Sequence, residues 1–341
     1  MNTNKWFDYF IVNGLINEQA ILLSTYASSL NDKGLPIIFE ADHLAKLIGI
    51  DAAYVSKVVR MSSMFYRSFD IEKRSGGKRN IDSPYPKLAY IQDWIKVNIL
   101  DTLTVSEHSF SYVKGRSIIG NAKCHVGSKE LLKLDLVNFF KHISEHSVSQ
   151  IFTQVGYTQK LSLQFAKICC VDGSLPQGAS TSPVLSNLVL KDLDYNLVKI
   201  SKKYNLNYSR YADDLTFSGN SISNEAKEDI RYSIKSFDFI VNEKKFRHLV
   251  GDKRKIVTGL CVNGLEVRVP KRDRREFRKS SHYLLINGYR QFNGDKGELS
   301  PLYIDKIIGK GQYILNVEPM NKYVKETLNK LIHLRKTFLQ Q

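Results

Sequence analysis

Three things are scarce in this chain, and each scarcity narrows the reading. No run of 18 or more apolar residues occurs, and the start does not follow the basic-then-apolar plan of a secretory signal. A membrane span and secretion are therefore not expected. Cysteine is rare, four in 341 residues, with Cys169 and Cys170 adjacent. Neighbouring cysteines make a poor disulfide framework, which points to a reducing, cytoplasmic setting. Negative charge is also short: 34 acidic against 50 basic side chains leave a formal net charge of +16. Such an excess favours a polyanionic partner, nucleic acid before a membrane surface. Internal repeats and low-complexity segments are missing as well, which excludes a repeat architecture.

What is present is a chain with 43% hydrophobic residues, long enough to bury a large core in more than one lobe. Apolar residues at helical spacing predict helices over 5–30, 40–60, 86–104, 145–170, 183–203 and 223–240. EKRSGGKRNIDSP, 72–84, reads as a hairpin turning at Gly76 and Gly77. ELLKLDLVNFF, 130–140, reads as a strand entering a turn, and 207–218 as a second hairpin. Short strands follow to about 270, and the remainder is mostly helical. Strands and helices mix irregularly, which favours α+β over a doubly wound sheet. Between Lys244 and Lys279 stand thirteen basic and four acidic residues. Apolar residues interleaved there, among them Ile256, Val257, Val267 and Val269, mark folded structure. The run is either a solvated helix face or a phosphate-tracking surface.

The sharpest signal is NYSRYADDLTFSG, 207–219, which sets Asp213 and Asp214 side by side between β-forming flanks. Asp is depleted in strands, and neighbouring like charges repel. A hairpin tip tolerates Asp as an ordinary polar turn. The apolar and aromatic flanks instead put this tip near a core, where carboxylates are costly unless a cation neutralises them. Carboxylates combined with substrate phosphates are the usual way to hold Mg²⁺, and two-metal phosphoryl transfer draws them from more than one segment. Asp135, alone among apolar neighbours in LLKLDLVNFF, is the second source.

YADD, LDLVNFF (134–140) and LPQGASTSPVLSNLVL (175–190) occur in the order seen in reverse transcriptases, and the chain resembles that family over 65–262. GGKRNIDSP (76–84) is similar to its basic fingers hairpin and FSYVKGRSIIGNA (110–122) to the next fingers segment. FIVNEKK (239–245) is similar to the strand carrying a late lysine. Within the family, NAKCH (121–125) and VTGL (257–260) resemble the N-A-x-x-H and V-T-G patterns of the bacterial retron group. They favour that group over group II intron enzymes, as does the lack of a maturase-like or endonuclease extension. One departure is Asn138, where several relatives carry a second acidic residue.

The resemblance implies an α+β right-hand polymerase. A helical region (1–64) precedes fingers and palm (65–262) with an antiparallel palm sheet, and a mostly helical, RNA-binding thumb (263–341) follows. It implies an RNA-directed DNA polymerase using two Mg²⁺ ions held by Asp135, Asp213, Asp214 and the Leu136 carbonyl. Lys245, or Lys244 one place earlier, would donate a proton to pyrophosphate. Lys78 and Arg79 would grip the triphosphate, since guanidinium matches phosphate in two-point fashion. Gln177 and Gly178 would meet the nascent base pair, and Phe140 would exclude a ribose 2′-OH. Asn121, His125, Val257, Thr258, Gly259, Arg272, Arg274 and Arg275 would bind RNA. The expected partners are a cognate structured non-coding RNA, its DNA copy in an RNA–DNA hybrid, dNTPs, and an effector or toxin protein from the same locus. For the retron group, a branched product primed from an RNA 2′-OH and an antiphage role are further implications.

Three signals compete with this reading. HISEH (142–146) fits a zinc-protease pattern, but no acidic third ligand in helical context is evident downstream. LAKLIGIDAAYVSKVVR (44–60) resembles a helix-turn-helix and supports a basic DNA-binding regulator as the non-enzyme alternative. That alternative leaves the carboxylates unexplained. The Cys169–Cys170 pair, flanked by Leu163, Phe165 and Ile168, reads as core.

Overall fold

Glycines cut three of the long predicted helices into pairs. The computed structural model of the chain describes residues 3–73, 76–287 and 302–339. The first helical stretch is α1 (Thr3–Val12) and α2 (Asn17–Asp32), and the second is α3 (Ala41–Ile48) and α4 (Ala52–Arg60). Gly49 caps α3 with φ 75, a left-handed conformation that costs glycine least. The fingers hairpin is β1 (Tyr66–Glu72) and β2 (Lys78–Pro84), with Arg74 and Ser75 at its turn outside the described residues. Then come α5 (Pro86–Asn98), α6 (Ile118–Lys123) and β3 (Glu130–Asp135). The stretch 145–170 is again two helices, α7 (Glu145–Val155) and α8 (Gln159–Cys169), parted at Gly156 with φ 121. Pro183 opens α9 (Ser182–Val189), and a bend at Leu190 leads into α10 (Lys191–Lys203). β4 (Asn207–Tyr211) and β5 (Asp214–Gly219) form the second hairpin, followed by α11 (Asn224–Ser236), β6 (Arg247–Leu249), β7 (Ile256–Val257) and β8 (Leu260–Cys261). Helices α12 (Lys271–Asn287), α13 (Tyr303–Val317) and α14 (Lys322–Leu339) end the chain.

The palm sheet is antiparallel, in the order β4-β5-β3-β6. Strand side chains alternate between faces. Leu132 and Leu134 of β3, with Leu215 and Phe217 of β5, therefore enter one core on one face. Full burial of side chains such as Leu215 and Phe217 contributes roughly 1.5–3 kcal/mol each. Leu131, Lys133 and Asp135 take the opposite face, as do Asp214, Thr216 and Ser218, and Leu131 enters a second core. The polar face is thus covered at the Leu131 end and carries aspartates at the other.

The first core runs from Leu30 to Phe239, so α2 to α4 pack together with the palm. The second gathers Ala122, Leu131, Val257, Leu260 and Val262 with Phe277, Ile304, Leu328 and Leu331 of α12 to α14. The expected palm–thumb border at 262 and 263 falls inside it. No helix among the described residues is long and apolar enough to cross a membrane.

Candidate active site

The antiparallel register sets Asp135, the last residue of β3, opposite Asp214, the first of β5. Asp213 sits in the two-residue turn between Tyr211 and Asp214, which are themselves register partners. Asp135 is 6% exposed, and Asp213 and Asp214 are half-buried. Burial pushes the Asp213 carboxyl up to about 6, helped by the charges of Asp214 and Asp135. Asp214 is raised too, mainly by burial. One cation already answers this charge: Lys245 Nζ donates to Asp135 Oδ2 at 2.7 Å. Asn242 Nδ2 donates to the other carboxylate oxygen at 3.1 Å. Lys245 is correspondingly raised, first by its hydrogen bond to Asp135.

This donor set suits a hard divalent cation. Among the described residues, no three His, Cys, Asp or Glu side chains are gathered tightly enough to hold a metal alone. Mg²⁺ sites completed by substrate phosphates need only one or two carboxylates per ion. The Leu136 amide donates to the Asp213 carbonyl at 3.0 Å. In extended backbone the carbonyl of a residue points to the same side as its amide, so that of Leu136 faces the aspartate turn.

Lys78 and Arg79 stand exposed on β2. Burial raises the Tyr112 hydroxyl, the Asp213 charge raises it further, and the Arg79 charge opposes them. Gln177 and Gly178 lie against the same hairpin: the Asp82 amide donates to the Gln177 carbonyl at 3.1 Å. Gly178 has φ 148, and a Cβ there would come within 2.7 Å of the Asp82 carbonyl oxygen. The close approach that demands glycine is thus to β2, where a base pair was expected. Phe140 is half-buried in the 3-10 turn Phe139–His142 and packs edge-on against Phe139 at 5.1 Å. Asn138 precedes that turn with φ 46, a left-handed position that Asn tolerates.

The family model described as reverse transcriptase (RNA-dependent DNA polymerase) matches residues 71–284. The retron Ec86 reverse transcriptase of Escherichia coli is 32% identical over 88% of this chain and 96% of its own length. The chain belongs to the retron reverse transcriptases. It is accordingly an RNA-directed DNA polymerase. The retron Ec83 enzyme of Escherichia coli is 31% identical over 74% of this chain and 83% of that one. For the retron Mx162 enzyme of Myxococcus xanthus the figures are 31%, 73% and 59%. Among solved structures, a foamy viral protease-reverse transcriptase in complex with double-stranded DNA superposes with a TM-score of 0.43. It shares 14% identity over 80% of this chain and 44% of that one, and adds nothing to the assignment made by the sequence relatives.

The two short stretches that point to the retron group touch each other. Asn121 Nδ2 reaches Thr258 Oγ1 at 3.4 Å, and Thr258 Oγ1 donates to the Ile118 carbonyl at 3.0 Å. His125 is bonded through one ring nitrogen to Ser218 Oγ (2.8 Å) and through the other to Ser209 Oγ (2.7 Å). Asn121 is 1% exposed, His125 and Val257 are 0%. These three side chains, expected to touch RNA, are enclosed where α6 seals the polar face of the palm sheet and β7 begins the second core. Thr258, with φ 45, is half-buried, and Gly259 is exposed.

In the thumb the three arginines separate. Arg274 and Arg275 face a cleft of about 260 Å³ together with Lys271, Arg278, Asn321 and Tyr323, whereas Arg272 lies off it. Arg274 also pairs with Glu318 at 3.7 Å. The competing signals resolve as structure. His142 lies in a 3-10 turn and bonds the Asn138 carbonyl, while His146 meets Gln150. In α4, Val55 and Val58 are buried and Tyr54 packs on Phe65, so one face of that helix joins the core. Burial pushes the Cys169 thiol up to about 12 and raises that of Cys170 as well.

Sequence reasoning missed Tyr112, raised first by burial and then by the Asp213 charge, and a buried group centred on Arg210 and Asp194. A signal existed for Asp194: it lies on the apolar stripe of Leu190, just before α10, and Leu193 and Leu197 within it.

Proposed function

We propose that this enzyme copies part of a cognate structured non-coding RNA into single-stranded DNA at the Asp135–Asp213–Asp214 cleft. Synthesis starts from an RNA 2′-OH, leaves a branched RNA–DNA hybrid, and serves antiphage defence with an effector protein of the same locus. The observation that supports the cleft as the site is the register of Asp135 opposite Asp214, with the Lys245 ammonium on Asp135. Membership of the retron group is what supports the reading of branched priming and defence.

Asp135, Asp213, Asp214 and the Leu136 carbonyl are the groups to hold two Mg²⁺ ions. When bound, the ions supply Lewis-acid activation of the primer hydroxyl and neutralise the leaving pyrophosphate. Lys78 and Arg79 take the triphosphate from the fingers side. Lys245 keeps its proton beside Asp135 and delivers it to the pyrophosphate. Gln177, held by Asp82, orients the nascent pair, and Phe140 crowds the sugar 2′ position. The thumb grips the RNA backbone. Lys271, Arg274, Arg275 and Arg278 recur at i, i+3, i+4 and i+7 on α12, one face of the helix. Folded RNA is read largely through shape, phosphates and 2′-hydroxyls, for which a fixed cationic face with the Tyr323 ring is suited.

Sequencing the nucleic acid that copurifies with the protein and its neighbouring locus, before and after debranching, tests this reading. A branched RNA–DNA species is expected. Linear DNA alone overturns 2′-OH priming, and no bound RNA overturns the cognate-RNA reading.

A further inference from the structure

The turn that carries Asp213 is built against local preference. Ala212 has φ 56, whereas Asp213 does not have a positive φ. That is the pattern of a type II′ hairpin turn, which favours glycine at the first central position. A non-glycine residue held there costs of order 1–3 kcal/mol and persists only when its surroundings over-determine it.

Those surroundings are buried and polar. The Ala212 amide donates to Ser111 Oγ at 2.7 Å, and the Ala212 carbonyl accepts from Arg210 Nη1 at 3.3 Å. Arg210 is 0% exposed and the largest fully buried side chain among the described residues. It grips Asp194, also 0% exposed, through Nε (2.8 Å) and Nη2 (2.7 Å). Arg210 Nη1 reaches Asn187 Oδ1 as well, at 3.1 Å. Asn187 Nδ2 then donates to the Ser111 carbonyl at 2.8 Å, closing the ring of contacts. Tyr208 Oη adds a bond to Asp194 at 2.7 Å. The segment holding Ser111 is itself fixed to the free edge of β4: Arg210 N donates to His108 O, and Phe110 N to Arg210 O, both at 2.8 Å.

We propose that Ser111, Asn187, Asp194 and Arg210 are positioning residues for DNA synthesis: together they clamp both backbone groups of Ala212 and so aim the Asp213 carboxylate at the cleft. Successive side chains of an extended strand point to opposite faces. Without the left-handed residue the strand would run on, and Asp213 and Asp214 would diverge. The clamp imposes the turn from behind, through backbone contacts, and leaves the carboxylates in front free. A guanidinium suits this task because its planar fork holds Asp194 and still has donors for Asn187 and Ala212.

The inference rests on Asp213 serving catalysis, and a double-mutant cycle tests the two separately. Primer extension on a generic primer–template is measured for S111A, A212G and S111A/A212G, with Asp213→Asn as the control for the site. S111A should lower kcat about tenfold with the dNTP KM nearly unchanged, the signature of an interaction lost in the reacting complex. Glycine accepts the left-handed conformation without the clamp, so in the A212G background the same change should cost less than about threefold. A merely structural serine would cost the same in both backgrounds, and that result overturns the clamp. An inactive Asp213→Asn beside a fully active S111A also overturns it, whereas an active Asp213→Asn overturns the site instead. For the buried pair, Arg210→Met with Asp194→Leu replaces both charges by apolar groups, which typically preserves or raises stability. Its melting temperature should hold while kcat falls at least about tenfold, since Ala212 has lost a donor. Full activity in that folded variant would refute the role of Arg210.

Discussion

Two charge clusters lie back to back across the 207–219 hairpin, and they obey opposite rules. In front, Asp135, Asp213 and Asp214 are like charges, half-buried or nearly buried, with Lys245 as a surface cation on one of them. Behind, Arg210 and Asp194 are opposite charges, both wholly enclosed and joined by two short hydrogen bonds. The front cluster is unfavourable as it stands, which is how burial and mutual repulsion come to raise Asp213 and Asp214. The rear cluster is satisfied. Sites for chemistry store electrostatic tension, and the frame that holds them relieves it.

Breaking the front cluster should have the largest effect on activity and little on the fold. Asp213→Asn or Asp214→Asn is expected to cut DNA synthesis by at least about 10⁴-fold, read by primer extension. The melting temperature of the metal-free protein should stay or rise, because each change removes a charge from a repulsive, partly buried place.

Breaking the rear cluster reverses the pattern. Arg210→Ala alone leaves the Asp194 carboxylate buried without its partner, and should cost about 3–5 kcal/mol in urea unfolding. A loss under about 1 kcal/mol would mean that water replaces the guanidinium and that the frame is softer than described.

A third group, His125, sharpens the comparison through pH. Burial pushes it down to about 3, so the folded protein keeps it neutral while the unfolded chain protonates it near 6.5. Stability from this group is complete above 6.5 and is lost as pH falls toward 3, the unfolded state binding the extra proton. At 1.36 kcal/mol per unit, His125 should account for about 2 kcal/mol of lost stability at pH 5. Chemical unfolding between pH 7.5 and 5 should show this slope, and His125→Gln should flatten it.

The smallest expected effect lies at the rim of the front cluster. Phe140→Ala should reduce the preference for a dNTP over the matching rNTP by about tenfold, measured as a ratio of kcat/KM. An unchanged ratio would leave Phe140 as packing against Phe139.

Local incongruity makes the front cluster legible in the sequence alone. Adjacent aspartates in a β-forming run, and a lone Asp in an apolar strand, are anomalies visible within a dozen residues. The rear pair is not legible in this way. Asp194 and Arg210 are sixteen residues apart on a helix and a strand, and although Asp194 stands on an apolar stripe, nothing local pairs it with Arg210. Asn121 and Thr258 are 137 residues apart, so their meeting could not be read from two short stretches, and neither could their burial. The helix breaks at Gly49 and Gly156 are present in the sequence, but periodicity runs across a glycine and gives no sign of a left-handed residue.

By itself the sequence determined which groups could do the chemistry, because carboxylates, cations and turn residues carry their reactivity and local preferences with them. It also determined the α+β class and the family, through motifs whose order survives divergence. Only the tertiary structure decided what each group faces. The alternation of β3 gives Leu132 and Leu134 to one core and Leu131 and Asp135 to the other side, and the packing of α6 turns Asn121 and His125 inward. The approach of β2 makes Gly178 irreplaceable, and the closure of 108–112 along β4 brings Ser111 to Ala212. Burial and hydrogen-bond partners belong to pairs of distant segments, and a chain acquires them only when those segments meet.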